Sequence, residues 1–273
     1  MALSLSSLVR AKSDKPPRIV IYGVPGIGKT SLAAEFPDPI FIQTEEGAGN
    51  LELTTIAGGP LSSAAEVDEA IELLLTGDHT FRTVVLDTLD WFEPLLWAAV
   101  CKRNKWDSIE DAGFGKGYVA LDADWRYFLG RMNALRDERG MTVIYLAHEE
   151  IKGFSDPERD SYDRYRLRLH KRAAEMVVEH ADVVGFMNYV TTIRKEKAGY
   201  NKETAKASGA GLRTLYMTER PAFTAKNRFD MPDSILVKRG EGYAALAPYL
   251  PGHRDPAAAA VRSHANPTID TTV

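Results

Sequence analysis

The stretch Gly23–Thr30, GVPGIGKT, constrains this chain more than any other. It matches G-x-x-x-x-G-K-[ST] at every fixed position. Just before it, RIVIY (18–22) is a short apolar run suited to a buried strand; just after it, a helix is expected from Lys29 to a stop before Pro37. Strand, glycine turn and helix form the context in which such a loop binds phosphate. Glycines let backbone N–H groups turn inward around phosphate oxygens, and the helix N-terminus adds partial positive charge. Lys29 then reaches the β- and γ-phosphates and Thr30 offers a hydroxyl to Mg²⁺. Gly23, Val24, Pro25, Gly26, Ile27, Gly28 and Ser31 complete the cradle, and ATP with Mg²⁺ is the implied ligand.

The rest of the chain alternates in the same way. PIFIQ (39–43), TVVLD (83–87) and TVIYLAH (142–148) read as further strands. Helical periodicity covers 63–76, about 90–103, about 118–139 and about 169–180. A polar loop is expected over 149–167, and a hairpin from 181–193 and 212–218 with a lysine-rich connection. Strands alternating with helices specify an α/β fold with a mostly parallel sheet and a C-terminal antiparallel hairpin. Residues 1–17 read as a loosely ordered segment, 18–250 as one domain and 251–273 as a disordered tail.

In open α/β sheets ligands sit beyond the carboxyl ends of the strands. Three polar groups stand at such ends. Asp87 closes an apolar strand and suits the Mg²⁺ shell; Asp90 competes for that role, and an Asp here could also cap the next helix. Glu45, with Glu46 as its alternative, follows the second strand and could polarise water for attack on the γ-phosphate; a solvated acidic loop is the plain reading. His148 could contact the γ-phosphate or be satisfied by a neighbouring group.

Composition narrows the setting. A net charge of −4 over 273 residues makes any nucleic-acid surface a local one. One cysteine, Cys101, rules out an intrachain disulfide and fits a reducing cytoplasm. No apolar run nears the roughly 18 residues that span a bilayer, and no secretory leader is read at the start. Two basic stretches oppose the overall charge. DRYRLRLHKR (163–172) holds Arg164, Arg166, Arg168, Lys171 and Arg172, and Lys152 lies just before it; residues 194–228 hold nine Lys/Arg against three Asp/Glu. Phe154, Tyr162 or Tyr165 could stack bases beside them. Without further support the first stretch is a solvated loop followed by an amphipathic helix.

Taken together, IYGVPGIGKTSLA, IFIQTEEG, VVLDTLDWFEP, FGKGYVAL, YLAHEEIKGF and LYMTERPAFTAKNRF resemble the phage RecA-like ATP-binding proteins that include the Sak-type single-strand annealing proteins of the fourth group. The resemblance covers about 18–238. It implies a RecA-like core sheet in the order 5-1-4-3-2, and a homo-oligomer with nucleotide between subunits. It implies a catalytic Glu45, a metal-holding Asp87 and a sensor at His148, where RecA itself has glutamine. AKNRFD resembles the KNRFG element of RadA-type proteins, which implies that Lys226 and Arg228 reach a neighbour's nucleotide; Asp230 replaces the glycine. The 152–172 loop is implied to bind single-stranded DNA, GFGKGY (113–118) is a second DNA candidate, and a single-strand binding protein is an expected partner. The implied activity is a DNA-stimulated ATPase of phage recombination in the host cytoplasm. An annealing module using ATP as a conformational ligand, or a kinase with 163–172 as its lid, are the competing readings.

Overall fold

The structure is a computed structural model and describes residues 14–47, 49–156, 160–190, 192–197, 203–208 and 211–251. The elements in chain order are β1 (Arg18–Gly23), α1 (Lys29–Ala33), β2 (Pro39–Gln43), α2 (Ala64–Thr76), β3 (Thr83–Asp87), α3 (Leu89–Asn104), α4 (Lys116–Glu138), β4 (Thr142–Phe154), β5 (Tyr162–Leu167) and α5 (Lys171–His180). They continue with β6 (Val183–Tyr189), β7 (Thr192–Lys197), β8 (Glu203–Ser208), β9 (Arg213–Tyr216), β10 (Lys226–Asn227), β11 (Ser234–Val237) and α6 (Gly242–Leu246).

The main sheet runs β11-β9-β6-β1-β4-β3-β2, with β10 added to β6 and β5 to β4. Its five central strands, β6-β1-β4-β3-β2, are parallel. Counting only those, the order is the 5-1-4-3-2 implied by the resemblance. Both faces of these strands are covered, which is why they read as continuous apolar runs. Val20, Tyr22, Val84, Leu86, Val143 and Tyr145 pack under α2 to α5. Ile19, Ile21, Phe41, Val85, Ile144 and Leu146 pack under α1 and the C-terminal segment. The period-2 side-chain alternation of a strand sorts the two sets.

The expected C-terminal hairpin forms, since β6 and β9 pair antiparallel with Tyr189 opposite Arg213. Between them β7 and β8 make a separate two-stranded ribbon. The expected polar loop over 149–167 is not a loop. β4 continues to Phe154 and pairs with β5 from Glu149↔Leu167 to Phe154↔Tyr162. Its physical basis is cross-strand packing: the Phe154 and Tyr162 rings lie 5.5 Å apart, and Arg164 covers Phe154 at 5.3 Å. Residues 14–17 are tied down, with Pro17 O accepting from Val143 N and Lys15 paired with Asp137. Residues 1–13 and the tail from 252 lie outside the described residues.

Candidate nucleotide site

β1 ends at Gly23, where a side chain would collide with the backbone of β6: a Cβ there would stand 2.1 Å from Met187 O. The chain then loops through Gly26 (φ 74°) and Gly28 (φ 100°), left-handed conformations that glycine adopts freely. Gly28 caps α1. Lys29 is buried and folds back so that Nζ donates to Gly23 O at 2.9 Å and Val24 O at 3.2 Å. Burial lowers its pKa, and the nearby charges of Asp90, Asp87 and Glu45 work against that.

The parallel register brings the strand ends together. Gln43 of β2 is level with Asp87 of β3, and Gly23 of β1 with His148 of β4. Thr44 locks the first pair: its N–H donates to Asp87 O, its Oγ1 to Thr88 O at 2.8 Å, and Thr88 N–H returns to Thr44 Oγ1 at 3.0 Å. Thr30 Oγ1 donates to Asp87 Oδ2 at 2.9 Å. Burial pushes the Asp87 carboxyl up to about 6, with the Thr30 bond opposing and the Glu45 charge adding to the rise. The Asp87–Thr88 peptide is cis.

These residues line one cleft of about 530 Å³, with the phosphate loop on one wall and Glu45, Glu46, Asp87 and His148 on another. Glu45 is mostly buried, whereas Glu46 is exposed. Asp90, weighed above as a rival metal ligand, is committed elsewhere. Its Oδ1 accepts from His148 N at 2.8 Å; its Oδ2 accepts from His148 Nδ1 at 3.0 Å and from Arg168 Nη2 at 2.7 Å. Burial disfavours its charge, but the His148 bonds and the Arg168 charge prevail and hold its pKa below the usual range. An ionised Asp90 only accepts, so Nδ1 of His148 carries the proton. His148 is therefore satisfied by a carboxylate and still lines the cleft, with Glu45 Oε1 3.9 Å from Nδ1.

Thr88 and Arg239 also line the cleft with no motif to mark them, and Arg213 lines it too, marked in sequence only as one of the cations of the 194–228 stretch. Thr88 Oγ1 is buried with no hydrogen-bond partner. Arg213 Nη1 donates to Ile27 O at 3.2 Å. A hydroxyl beside a strand-end Asp is a cue in the sequence; the two arginines lie far downstream and have none.

The structure does not gather Lys226 and Arg228 into this cleft. β10 pairs with the start of β6, at the end of the sheet away from the phosphate loop. Lys226 Nζ donates to Val178 O and Glu179 O at the C-terminus of α5, and Arg228 pairs with Asp182 at 3.1 Å. The basic residues of 152–172 are likewise not a free cationic strip. Arg164 pairs with Glu219, Lys152 and Arg166 with Glu150, Arg168 with Asp90, Lys171 with Glu175 and Arg172 with Asp122. Tyr165, expected to stack bases, is partly buried and stacks instead on Phe186 at 5.0 Å, against the core. Phe154 and Ile151 are exposed. In GFGKGY, Gly113, Phe114 and Gly115 all have positive φ, and Phe114 projects fully into solvent. Within 194–228, residues 198–202 and 209–210 lie outside the described residues.

A family model described as an AAA domain matches residues 15–229, a span that contains every wall of the cleft except Arg239. The chain belongs to this AAA domain family. It is also similar to the SPbeta prophage-derived uncharacterized protein YorG of Bacillus subtilis (strain 168), 25% identical over 84% of this chain. The chain spans 64% of that relative's length. A flavodoxin of Maridesulfovibrio salexigens is 25% identical over 52% of this chain and 88% of its own. Among solved structures, the RadB recombinase aligns over 82% of this chain and 86% of its own, with a TM-score of 0.45 and 13% identity. No helix among this chain's described residues is long and apolar enough to cross a membrane.

Proposed function

We propose that this AAA domain binds and hydrolyses ATP with Mg²⁺, and that it works as an oligomer on single-stranded DNA in phage-type recombination. The observation that carries the reading is the convergence of Lys29, Thr30, Asp87, Glu45 and His148 on one cleft. Lys29 supplies positive charge where the β- and γ-phosphates would lie. Glu45 would accept the proton of the attacking water as its oxygen bonds to the γ-phosphorus and the bond to the bridging oxygen breaks, giving ADP and phosphate. Thr88 Oγ1 and the His148 ring lie in the same cleft, where they can help to orient that water or the phosphate oxygens.

The fit to Mg²⁺ rests on the donor set. The Thr30 hydroxyl and the buried Asp87 carboxylate stand 2.9 Å apart beside the phosphate loop, oxygen donors of the kind this ion shares with substrate phosphates. When bound, the ion would neutralise charge developing on the phosphates.

DNA contact is assigned to the β4–β5 hairpin and the Phe114 turn, which present Phe154, Ile151 and Phe114 to solvent beside the paired basic residues. Arg168 links that hairpin through Asp90 to His148. Arg228 keeps about half of its side chain exposed, so a trans contribution with Lys226 is part of the proposal. The prophage origin of YorG supports the phage setting.

The test is phosphate release from ATP and Mg²⁺, with and without single-stranded DNA, for wild type, Lys29→Ala and Glu45→Gln. DNA-stimulated release that both variants lose supports the reading. Nucleotide binding without DNA-sensitive turnover refutes the coupled ATPase and favours ATP as a conformational ligand for annealing.

A further inference from the structure

The cleft holds two more cations besides Lys29. Arg213 comes from β9 and Arg239 from the turn after β11, so both arrive from the antiparallel extension of the sheet. The extension's other cations from Arg213 onward are engaged elsewhere. Lys238 pairs with Glu241 at 3.3 Å, Arg220 lies 5.9 Å from the Tyr216 ring, Lys226 caps α5 and Arg228 pairs with Asp182. Among the described residues, neither Arg213 nor Arg239 has an acidic partner.

Arg213 is also pressed against the phosphate loop. Its Nη1 donates to Ile27 O, and a Cβ on Gly28 would stand 2.2 Å from that nitrogen. One bond to a carbonyl uses one of the five N–H groups of a guanidinium and none of its charge. A planar fork with spare donors, placed against a phosphate-binding loop without a carboxylate to neutralise it, matches phosphate oxygens in shape and sign.

We propose that Arg213 and Arg239 bind the polyphosphate tail of the nucleotide together with Lys29, which makes β9 and the β11 turn working parts of the site. This rests on the nucleotide reading of the cleft. It extends that reading to a substrate class: the extension selects for nucleoside triphosphates over monophosphates.

Calorimetric titration of the full chain with ATP and with AMP, each over a range of salt, tests this with wild type, Arg213→Gln, Arg239→Gln and Lys29→Ala. Arg213→Gln is expected to weaken ATP binding about tenfold or more. AMP should lose less, the salt dependence of ATP affinity should flatten, and the melting temperature without ligand should hold. Arg239→Gln, on an exposed turn, should show the same pattern more weakly. ATP binding and salt slope at wild-type values in both variants, with binding lost in Lys29→Ala, would overturn this inference alone. Equal losses for ATP and AMP with a lowered melting temperature would also overturn it, by showing that Arg213 only props Ile27. A wild type that binds no ATP overturns the nucleotide reading as well.

Discussion

Glu93 offers a quantitative test of the packing around the site. It lies on α3, 4% exposed, with Oε2 accepting from His170 N at 2.9 Å and Oε1 buried without a partner. It thereby holds the N-terminal end of α5 while Asp90, one turn earlier, holds Arg168. Burial pushes its carboxyl from the ordinary 4.5 up to about 7; the His170 bond opposes this, and the charges of Asp90 and Glu150 reinforce it. A rise of that size corresponds to about 3 kcal/mol. The folded pKa lies above the unfolded one, so the native state holds the extra proton between the two values. Stability is therefore lost as pH rises from about 4.5 to about 7. Glu93→Gln imitates the neutral acid at every pH, and its amide oxygen can still accept from His170 N. In urea unfolding, the variant should gain about 2 kcal/mol over wild type on going from about pH 5 to about pH 8. If the two proteins keep the same pH dependence, the assignment of Glu93 as a strained buried acid is wrong.

Glu45→Gln should lower ATP turnover by about 10²- to 10⁴-fold while ATP affinity persists, measured by single-turnover hydrolysis and titration; turnover near wild type would remove Glu45 as the base. Gly23→Ala should cost about 1–3 kcal/mol in chemical unfolding, because its Cβ would stand 2.1 Å from a backbone oxygen that cannot swing away; an unchanged midpoint would refute that close approach. Asp182→Ala should cost about 3–5 kcal/mol, since it leaves the largely buried Arg18 unpaired. Arg228→Ala, at the half-exposed rim of the same cluster, should cost about 1 kcal/mol or less. A large loss in thermal or urea unfolding on removing Arg228 would make that residue a structural ion pair first.

The readings that held in the structure share a local cause. The phosphate loop needs glycines at particular φ values and a lysine one residue into a helix, and those demands are written in eight consecutive residues. The parallel strands are buried on both faces, so RIVIY, PIFIQ and TVVLD announce themselves as apolar runs. Asp87, Glu45 and His148 could be nominated because a strand that ends in a polar residue delivers it to the same edge as its parallel neighbours. Charge along the chain is a poorer guide to a side chain's setting. Arg164, Arg166, Arg168 and Arg172 look like a cationic strip until their partners, Glu219, Glu150, Asp90 and Asp122, are brought to them from other parts of the chain. The hairpin of β4 and β5 looks like a loop in sequence because charges interrupt it irregularly, at Glu149, Glu150 and Lys152 on one strand and at Asp163, Arg164 and Arg166 on the other.

By itself, then, the sequence determined a parallel α/β core with a phosphate-binding loop, because backbone conformation and strand burial are encoded by neighbours along the chain. Tertiary structure alone decided which distant side chains complete the site. Arg213 lies 186 residues from Ile27, and Asp90 lies 58 from His148. No local pattern encodes such a meeting, since the order and register of strands decide which side chains share an edge.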